Sequence, residues 1–185
     1  SYKPNKADWL DGQWSGLKAA PDREQRRGDT SVKLDKLKQI GLSMTELPKG
    51  YELNKKLVRI VENRRKSINE EKNIDWSTAE HLAFGTLLDE GHPVRLSGQD
   101  SCRGTFSQRH AVFVDQNNEN RYIPLNNLKE NQPQFEVIDS PLSEASVLGF
   151  EYGYSLTEPS ALVMWEAQFG DFANGAQVIV DQFIS

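Results

Sequence analysis

The sequence predicts an α/β fold in which helices cover a parallel sheet, and three successive segments support this prediction. Residues 135–139, Phe-Glu-Val-Ile-Asp, have the composition of a short strand, which Pro141 closes because it favours an extended residue before it. From Ser143 onward, apolar residues recur at helical spacing, and Ser143 is a suitable N-cap. Residues 161–165, Ala-Leu-Val-Met-Trp, are almost entirely apolar, as in a parallel strand covered on both faces. Strand, helix and strand in this order form a βαβ unit.

A helix and a strand precede this unit and continue the same alternation. Residues 76–90 are predicted to form a helix, because Ser77 and Glu80 have capping-box spacing ahead of an apolar stripe. His81 lies in this helix, where a histidine is more often structural than catalytic. Residues 94–97 are predicted to form the next strand. The polar loop that follows, residues 98–108, is a candidate ligand loop, because open α/β sheets bind ligands at the carboxyl ends of their strands.

The sequence divides into a predicted arm with linker helices, residues 1–72, and a predicted α/β domain, residues 73–185. The first 30 residues are polar and irregular, with Trp9 and Trp14 as their large apolar anchors. We therefore expect a solvated arm that two indole rings fix to the rest of the chain.

Two helices and a hairpin complete the predicted elements. Residues 32–40 have apolar residues at helical spacing, and Gly41 is a suitable C-cap. Residues 54–68 predict an amphipathic helix whose basic residues form its solvated face. An Asn-rich stretch separates the apolar residues 111–114 from residues 121–123, which is a hairpin pattern.

Composition excludes several classes of protein. The formal net charge of −5 argues against a nucleic-acid partner, because phosphate binding requires clustered Lys and Arg. No apolar run approaches the roughly 20 residues that span a bilayer, so no membrane segment is expected. Cys102 is the single cysteine, which excludes an internal disulfide. A Cys102–His110 thiol–imidazole pair is conceivable, although no third orienting group is evident.

Two features at predicted strand ends could carry chemistry. Glu144 begins the helix of the βαβ unit, where it is either a carboxylate stabilised by the helix dipole or an acid–base group. Phe169 and Phe172 follow the last strand and are either core residues or a flat platform for a heteroaromatic ring. Spacing alone favours the structural alternative for each.

The sequence resembles 2-oxoglutarate dehydrogenase, and specifically its thiamine-diphosphate-dependent decarboxylating component. The resemblance runs from about Trp9 to the last residue. It is carried by long motifs, namely Ile74-Asp75-Trp76, residues 79–84 (Ala-Glu-His-Leu-Ala-Phe), 94–100 (Val-Arg-Leu-Ser-Gly-Gln-Asp), 103–112 (Arg-Gly-Thr-Phe-Ser-Gln-Arg-His-Ala-Val), 142–144 (Leu-Ser-Glu), 149–154 (Gly-Phe-Glu-Tyr-Gly-Tyr) and 165–177 (Trp-Glu-Ala-Gln-Phe-Gly-Asp-Phe-Ala-Asn-Gly-Ala-Gln).

The resemblance implies a thiamine diphosphate site and a role for each matching residue. The chain would be the first part of a three-layer pyrimidine-binding α/β domain, with Glu144 as the catalytic group that activates the cofactor. Phe172 would stack on the aminopyrimidine ring with Phe169 beside it, Leu142 would contact the cofactor, and Gln99 would lie near it. An apolar pocket of Phe172 and Leu142 would favour the protonated carboxylic acid of Glu144.

The resemblance also implies what the chain lacks. The diphosphate-binding half, with the ligands of its magnesium ion, belongs to a different domain and to the partner subunit of a homodimer. Many relatives have histidine two residues before His110, where this chain has Gln108, so no histidine role transfers to that position. The last residues are still in helical rhythm, so we expect a piece of a longer protein that is inactive alone.

The expected activity is oxidative decarboxylation of 2-oxoglutarate in the tricarboxylic acid cycle, with succinyl transfer to the lipoyl group of an acyltransferase partner. The expected location is the bacterial cytoplasm or the mitochondrial matrix. Two alternatives remain open, namely a non-catalytic assembly module and a decarboxylase of another 2-oxo acid such as 2-oxoadipate.

Overall fold

The structure is a computed structural model that describes residues 12–18, 21 and 28–185. The predicted alternation of helices and strands is present from residue 34 onward. The elements in chain order are α1 (Leu34–Ser43), α2 (Lys55–Glu70), α3 (Trp76–Glu90), β1 (Val94–Gly98), β2 (Phe113–Val114), β3 (Arg121–Tyr122), a 3₁₀ turn (Pro124–Asn127), β4 (Phe135–Asp139), α4 (Glu144–Thr157), β5 (Leu162–Glu166), a second 3₁₀ turn (Asp171–Ala173), α5 (Gln177–Ile179) and a π-helical turn (Val180–Ile184).

A three-stranded parallel sheet is the centre of the fold, with strand order β4-β1-β5. The helix α4 connects β4 to β5, and β1 lies between these two strands in the sheet. The predicted βαβ unit is therefore confirmed. The strands β2 and β3 pair antiparallel, as the hairpin pattern predicted. The α/β fold class with a parallel sheet is therefore confirmed.

The sheet face that α3 covers is the apolar core. Val94 and Leu96 of β1 point to this face and are almost completely buried. They pack with Phe84 and Leu88 of α3, and the cluster continues into both outer strands and the neighbouring loops through Phe135, Val137, Met164, Leu125 and Ala111. Apolar burial is the dominant favourable contribution to folding, and this face holds the larger of the two apolar clusters in the described residues.

The opposite face, which α4 covers, is more polar. Arg95 and Ser97 of β1 point to it, because side chains alternate along a strand. The buried residues of α4 are Leu148 and Glu151, and Glu151 makes an ion pair with Arg95. A cavity of about 250 Å³ remains between the sheet and the first turns of α4.

The helices α1 and α2 pack against the same core as α3. Gly41 is not the C-cap of α1, because the helix continues to Ser43 and Met44 is its cap. Gly41 instead allows close contact with α2, since an added Cβ would lie 2.9 Å from Ile68 Cδ1. The sequence predicted that the basic residues of α2 lie on its solvated face. Arg64 does not, because its side chain is buried and only 6% of the residue is exposed.

Two further expectations require correction, and the expected anchoring of the arm by two indole rings can be described only for Trp14. Asp75, not Ser77, is the N-cap of α3, and its carboxylate accepts a hydrogen bond from Thr78 N at 2.7 Å. The strand β5 is half-exposed along most of its length, because the described residues place it at the edge of the sheet. Trp14 Nε1 donates a hydrogen bond to Leu156 O at 2.6 Å, whereas Trp9 lies outside the described residues.

Candidate active site

Three loops begin at the same edge of the sheet. Gly98 of β1 lies opposite Asp139 of β4 and Glu166 of β5, so all three parallel strands end at one level. Gly98 is required there, because a Cβ would lie 2.5 Å from the backbone oxygen of Glu166. The residues that follow these strands therefore form one surface, which is the usual location of ligand sites in open α/β sheets.

Glu144 lies at this edge as the first residue of α4. Ser143 has the N-cap position but makes no capping hydrogen bond, and its hydroxyl bonds instead to Ser146 Oγ at 2.9 Å. Glu144 is half-buried, and its carboxylate lies near the segment that follows β5. Asn174 Nδ2 approaches Glu144 Oε1 at 3.4 Å, and a Cβ on Gly175 would lie 3.0 Å from Glu144 Oε2.

The segment that contacts Glu144 also contains the two phenylalanines. Gly170, with φ of +90°, turns the chain after Phe169, and Asp171 closes this turn by accepting a hydrogen bond from Gln168 N at 2.7 Å. The Phe172 ring packs edge-on against Trp165, with ring centroids 5.7 Å apart, and remains 53% exposed. Neither phenylalanine is a core residue, since the Phe169 side chain is fully exposed.

The other two candidate residues lie at the same edge. Leu142 belongs to the short connection between β4 and α4 and is 80% exposed, and Gln99 directly follows β1 and is half-buried. The structure therefore brings Glu144 into contact with the segment that carries Phe172. It leaves the Leu142 and Phe169 side chains in solvent. The dry pocket expected from Leu142 and Phe172 is not formed by these two side chains alone.

Sequence reasoning missed a buried ion cluster beside this edge. Arg109 is almost completely buried, and its guanidinium binds both oxygens of Glu80, at 2.8 and 3.1 Å, together with the carboxylate of Glu166. These carboxylates raise the pKa of Arg109 despite its burial. The available signal was an arginine just before the apolar residues 111–114, where a fully solvated charge is not expected.

Arg64 stabilises the loop that carries Arg109. Its Nη2 donates hydrogen bonds to Ser77 Oγ at 2.7 Å and to the backbone oxygens of Gln108 and Arg109 at 3.2 and 2.5 Å. Burial lowers the pKa of Arg64. This arginine therefore connects α2, α3 and the loop after β1, which a helical-wheel argument does not reveal.

Cys102 and His110 do not have the properties of a catalytic pair. Cys102 is buried, its Sγ lies 3.6 Å from Val137 O, and burial raises its pKa to about 11. A thiol with such a pKa is protonated at neutral pH and is a poor nucleophile. His81 is structural, as expected: its Nδ1 lies 2.8 Å from Ser77 O, and burial lowers its pKa to about 3.

Two features are absent from the part of the chain that the structure describes. In residues 12–18, 21 and 28–185, no group of three or more His, Cys, Asp or Glu side chains has a geometry that could hold a metal ion. Within the same ranges, none of the helices combines the length and the apolar character needed to cross a bilayer.

Comparison with known families identifies the fold. Residues 72–185 match the pyrimidine-binding domain of transketolase. The chain belongs to the transketolase pyrimidine-binding domain family. In this family assignment, the edge that carries Glu144 and Phe172 is part of a pyrimidine-binding domain, which agrees with the position of the candidate site.

Individual relatives of the chain carry more specific names than the domain family does. The chain is 62% identical over its whole length to proteins named 2-oxoglutarate dehydrogenase E1 component from Brucella canis and Brucella suis, and 61% identical to the one from Brucella melitensis. The resemblance found in the sequence is thereby confirmed. The chain spans 18% of the length of these relatives.

Proposed function

We propose that this chain is the pyrimidine-binding part of a thiamine-diphosphate-dependent 2-oxoglutarate dehydrogenase, within a longer polypeptide. The observation that supports the proposal most directly is the contact between Glu144 and the segment of Phe172, at the strand ends of a pyrimidine-binding domain. The relatives that carry this name are 62% identical across the whole chain, and the motifs around both residues belong to the resemblance.

The side chains at this edge fit the pyrimidine half of the cofactor. An aminopyrimidine is a flat ring with hydrogen-bonding nitrogens, and the edge offers one carboxyl group and one partly exposed aromatic ring. When bound, thiamine diphosphate supplies a carbon nucleophile and an electron sink for the loss of carbon dioxide from a 2-oxo acid. The magnesium ion and the diphosphate group would be held by residues outside this chain.

Glu144 is the residue that would move a proton. Its carboxyl group would hydrogen-bond a ring nitrogen of the pyrimidine. It would give a proton to that nitrogen and take the proton back during the reaction. Phe172 would hold the ring by offset stacking, with Phe169 beside it. Leu142 would add an apolar contact, and Gln99 would lie near the ring at the end of β1.

A second protein surface is required to complete the site. Leu142, Phe169 and Phe172 are too exposed to exclude water by themselves, and water would weaken the hydrogen bond of Glu144. We propose that the partner subunit of a homodimer supplies the missing wall. The same proposal includes a lipoyl acyltransferase as succinyl acceptor and the cytoplasm of a bacterium as location, rather than a mitochondrial matrix.

Replacing Glu144 by Gln in the full-length polypeptide tests this function. Glutamine keeps the size of the side chain but has no exchangeable carboxyl proton, so we expect decarboxylation of 2-oxoglutarate to fall by about two orders of magnitude or more. Turnover is measured with saturating thiamine diphosphate and magnesium. Glu90→Gln, at the exposed end of α3, is the matched control and keeps normal turnover.

Three outcomes contradict the proposal. Near-normal turnover of Glu144→Gln removes Glu144 from its role. A wild-type protein that decarboxylates 2-oxoadipate much better than 2-oxoglutarate has a different substrate, and one that decarboxylates neither acid is a non-catalytic module.

A further inference from the structure

The helix that carries Glu144 has little apolar packing on the sheet. Leu148 is its buried apolar residue and does not belong to the apolar core, whereas Phe84 and Leu88 of α3 are buried in that core on the opposite face. Beneath its first turns lies the cavity of about 250 Å³, which Ser146, Val147 and Phe150 line from the helix side. Apolar contact therefore restrains the amino-terminal half of α4 only weakly.

A charged clamp provides the missing restraint. Arg95 in the central strand binds both carboxylate oxygens of Glu151, with Nε to Oε2 at 2.7 Å and Nη2 to Oε1 at 2.9 Å. Its third nitrogen, Nη1, binds Glu136 of β4. The guanidinium also lies over the rings of Phe150 and Tyr154, 5.3 and 4.8 Å from their centroids. One side chain thus connects β1, β4 and α4.

The clamp lies on the same face of α4 as Glu144. Glu144 and Glu151 are seven residues apart, so they lie on the same face of α4, about 10 Å apart along its axis. A bidentate Arg–carboxylate pair has one preferred planar geometry, unlike apolar contact, which has no preferred direction. It therefore fixes both the rotation and the axial position of the helix.

We propose that Arg95 and Glu151 are positioning residues for the carboxyl group of Glu144. This inference rests on the proposed function. The clamp sets the orientation of α4, and the Asn174–Gly175 segment then contacts the Glu144 carboxylate from the other side. Buried ion pairs contribute little net stability compared with apolar pairs of the same size, so a role in geometry is a reason for a charged pair here.

The test compares variants on the two faces of one strand in the full-length holoenzyme. Arg95→Gln, Glu151→Gln and their double variant remove the clamp, and Arg95→Lys keeps the charge without the planar fork. Val94→Ala is the matched control, because Val94 is adjacent to Arg95 but is buried in the apolar core of the other face. Readouts are the Kd for thiamine diphosphate from tryptophan fluorescence, kcat at saturating cofactor, and amide exchange of α4.

The expected result is a loss that is specific to the clamp. We expect each single glutamine variant to lower kcat by about 10-fold to 100-fold, since an error of about 1 Å in the position of a reacting group has an effect of this size. The Kd for the cofactor should rise, amide exchange in α4 should become faster, and the double variant should be no worse than either single variant. Arg95→Lys should be intermediate, and Val94→Ala should lower Tm without changing kcat or Kd.

Several results overturn the inference. Wild-type kcat and Kd in Glu151→Gln would show that the clamp does not position Glu144. Equal losses in Val94→Ala and Glu151→Gln would show a general effect of reduced stability. If the glutamine variants do not fold, wild-type kcat in a folded Arg95→Lys is the decisive contrary result. A wild-type enzyme without activity contradicts the proposed function instead, because that function requires no particular role for Arg95.

Discussion

The two faces of the sheet are held by different forces. The α3 face is a continuous apolar cluster in which Val94, Leu96 and Leu88 are almost completely buried. The α4 face has a buried ion pair, a cavity and two buried helix residues. The candidate catalytic residue lies on the helix of the second face. One side of the sheet is therefore a packed apolar core, and the other has a helix that contacts the sheet through few apolar residues and a directional ion pair.

The physical reason is the difference between apolar burial and ion pairing. Apolar burial stabilises in proportion to area and tolerates small rotations of a helix. A buried bidentate pair adds little net stability but is sensitive to angle and distance. Truncation of an apolar side chain should therefore cost more stability on the α3 face than on the α4 face. Unfolding measurements on variants of the two faces test this difference.

The largest effect is expected from Leu88→Ala in α3. Leu88 is completely buried, so its truncation should lower the free energy of unfolding by about 3 kcal/mol through lost burial and a new cavity. Val147→Ala, beside the existing cavity of the α4 face, should cost less than about 1 kcal/mol, since Val147 is half-buried. Urea denaturation measures both values. Equal costs would contradict the difference between the faces.

A smaller effect is expected from adding a methyl group to glycine on each face. The Cβ of Gly98→Ala would lie 2.5 Å from Glu166 O and 2.7 Å from Ser101 Oγ, so β5 must shift, at a cost of about 2 kcal/mol. Gly153→Ala in α4 has no atom within 4 Å of its new Cβ and should stabilise by about 0.5–1 kcal/mol through helix propensity. Thermal unfolding compares the two variants, and a destabilising Gly153→Ala would show that α4 is packed more tightly than described.

The smallest of the three effects on the α3 face is its pH dependence. Burial lowers the pKa of His81 to about 3 in the folded chain, from 6.5 in the unfolded chain. The unfolded chain therefore binds the additional proton, and this part of the stability is complete above pH 6.5 and is lost as pH falls from 6.5 toward 3. Between pH 6.5 and 5 the expected loss is roughly 1.5 kcal/mol.

His81→Gln is the control for this pH dependence. Glutamine does not titrate, so the free energy of unfolding of this variant should fall less steeply over the same range than that of the wild type. Urea denaturation at pH 6.5, 5.75 and 5 gives both slopes. Parallel slopes would mean that His81 accepts a proton in the folded chain.

Most of the fold could be predicted because its signals are local. The strand β4, the extent of α3 and the hairpin of β2 and β3 follow from residue periodicity and turn residues over fewer than about 15 positions. Gly41 illustrates where local signals fail, since a glycine that suits a helix end instead permits contact with Ile68, 27 residues away. Arg64 and Arg109 were missed for the same reason, because their partners are distant in sequence.

The sequence by itself determined the α/β class, the family through its motifs, and the candidate residues at the strand ends, because motifs and alternation of elements are written in consecutive residues. Only the tertiary structure decided that Glu144 contacts Asn174 and Gly175, that Leu142 and Phe172 remain exposed, and that Arg95 joins three elements. These features depend on strand register and helix rotation, which are set by contacts between residues 30 to 60 positions apart. Patterns in consecutive residues therefore do not predict these contacts.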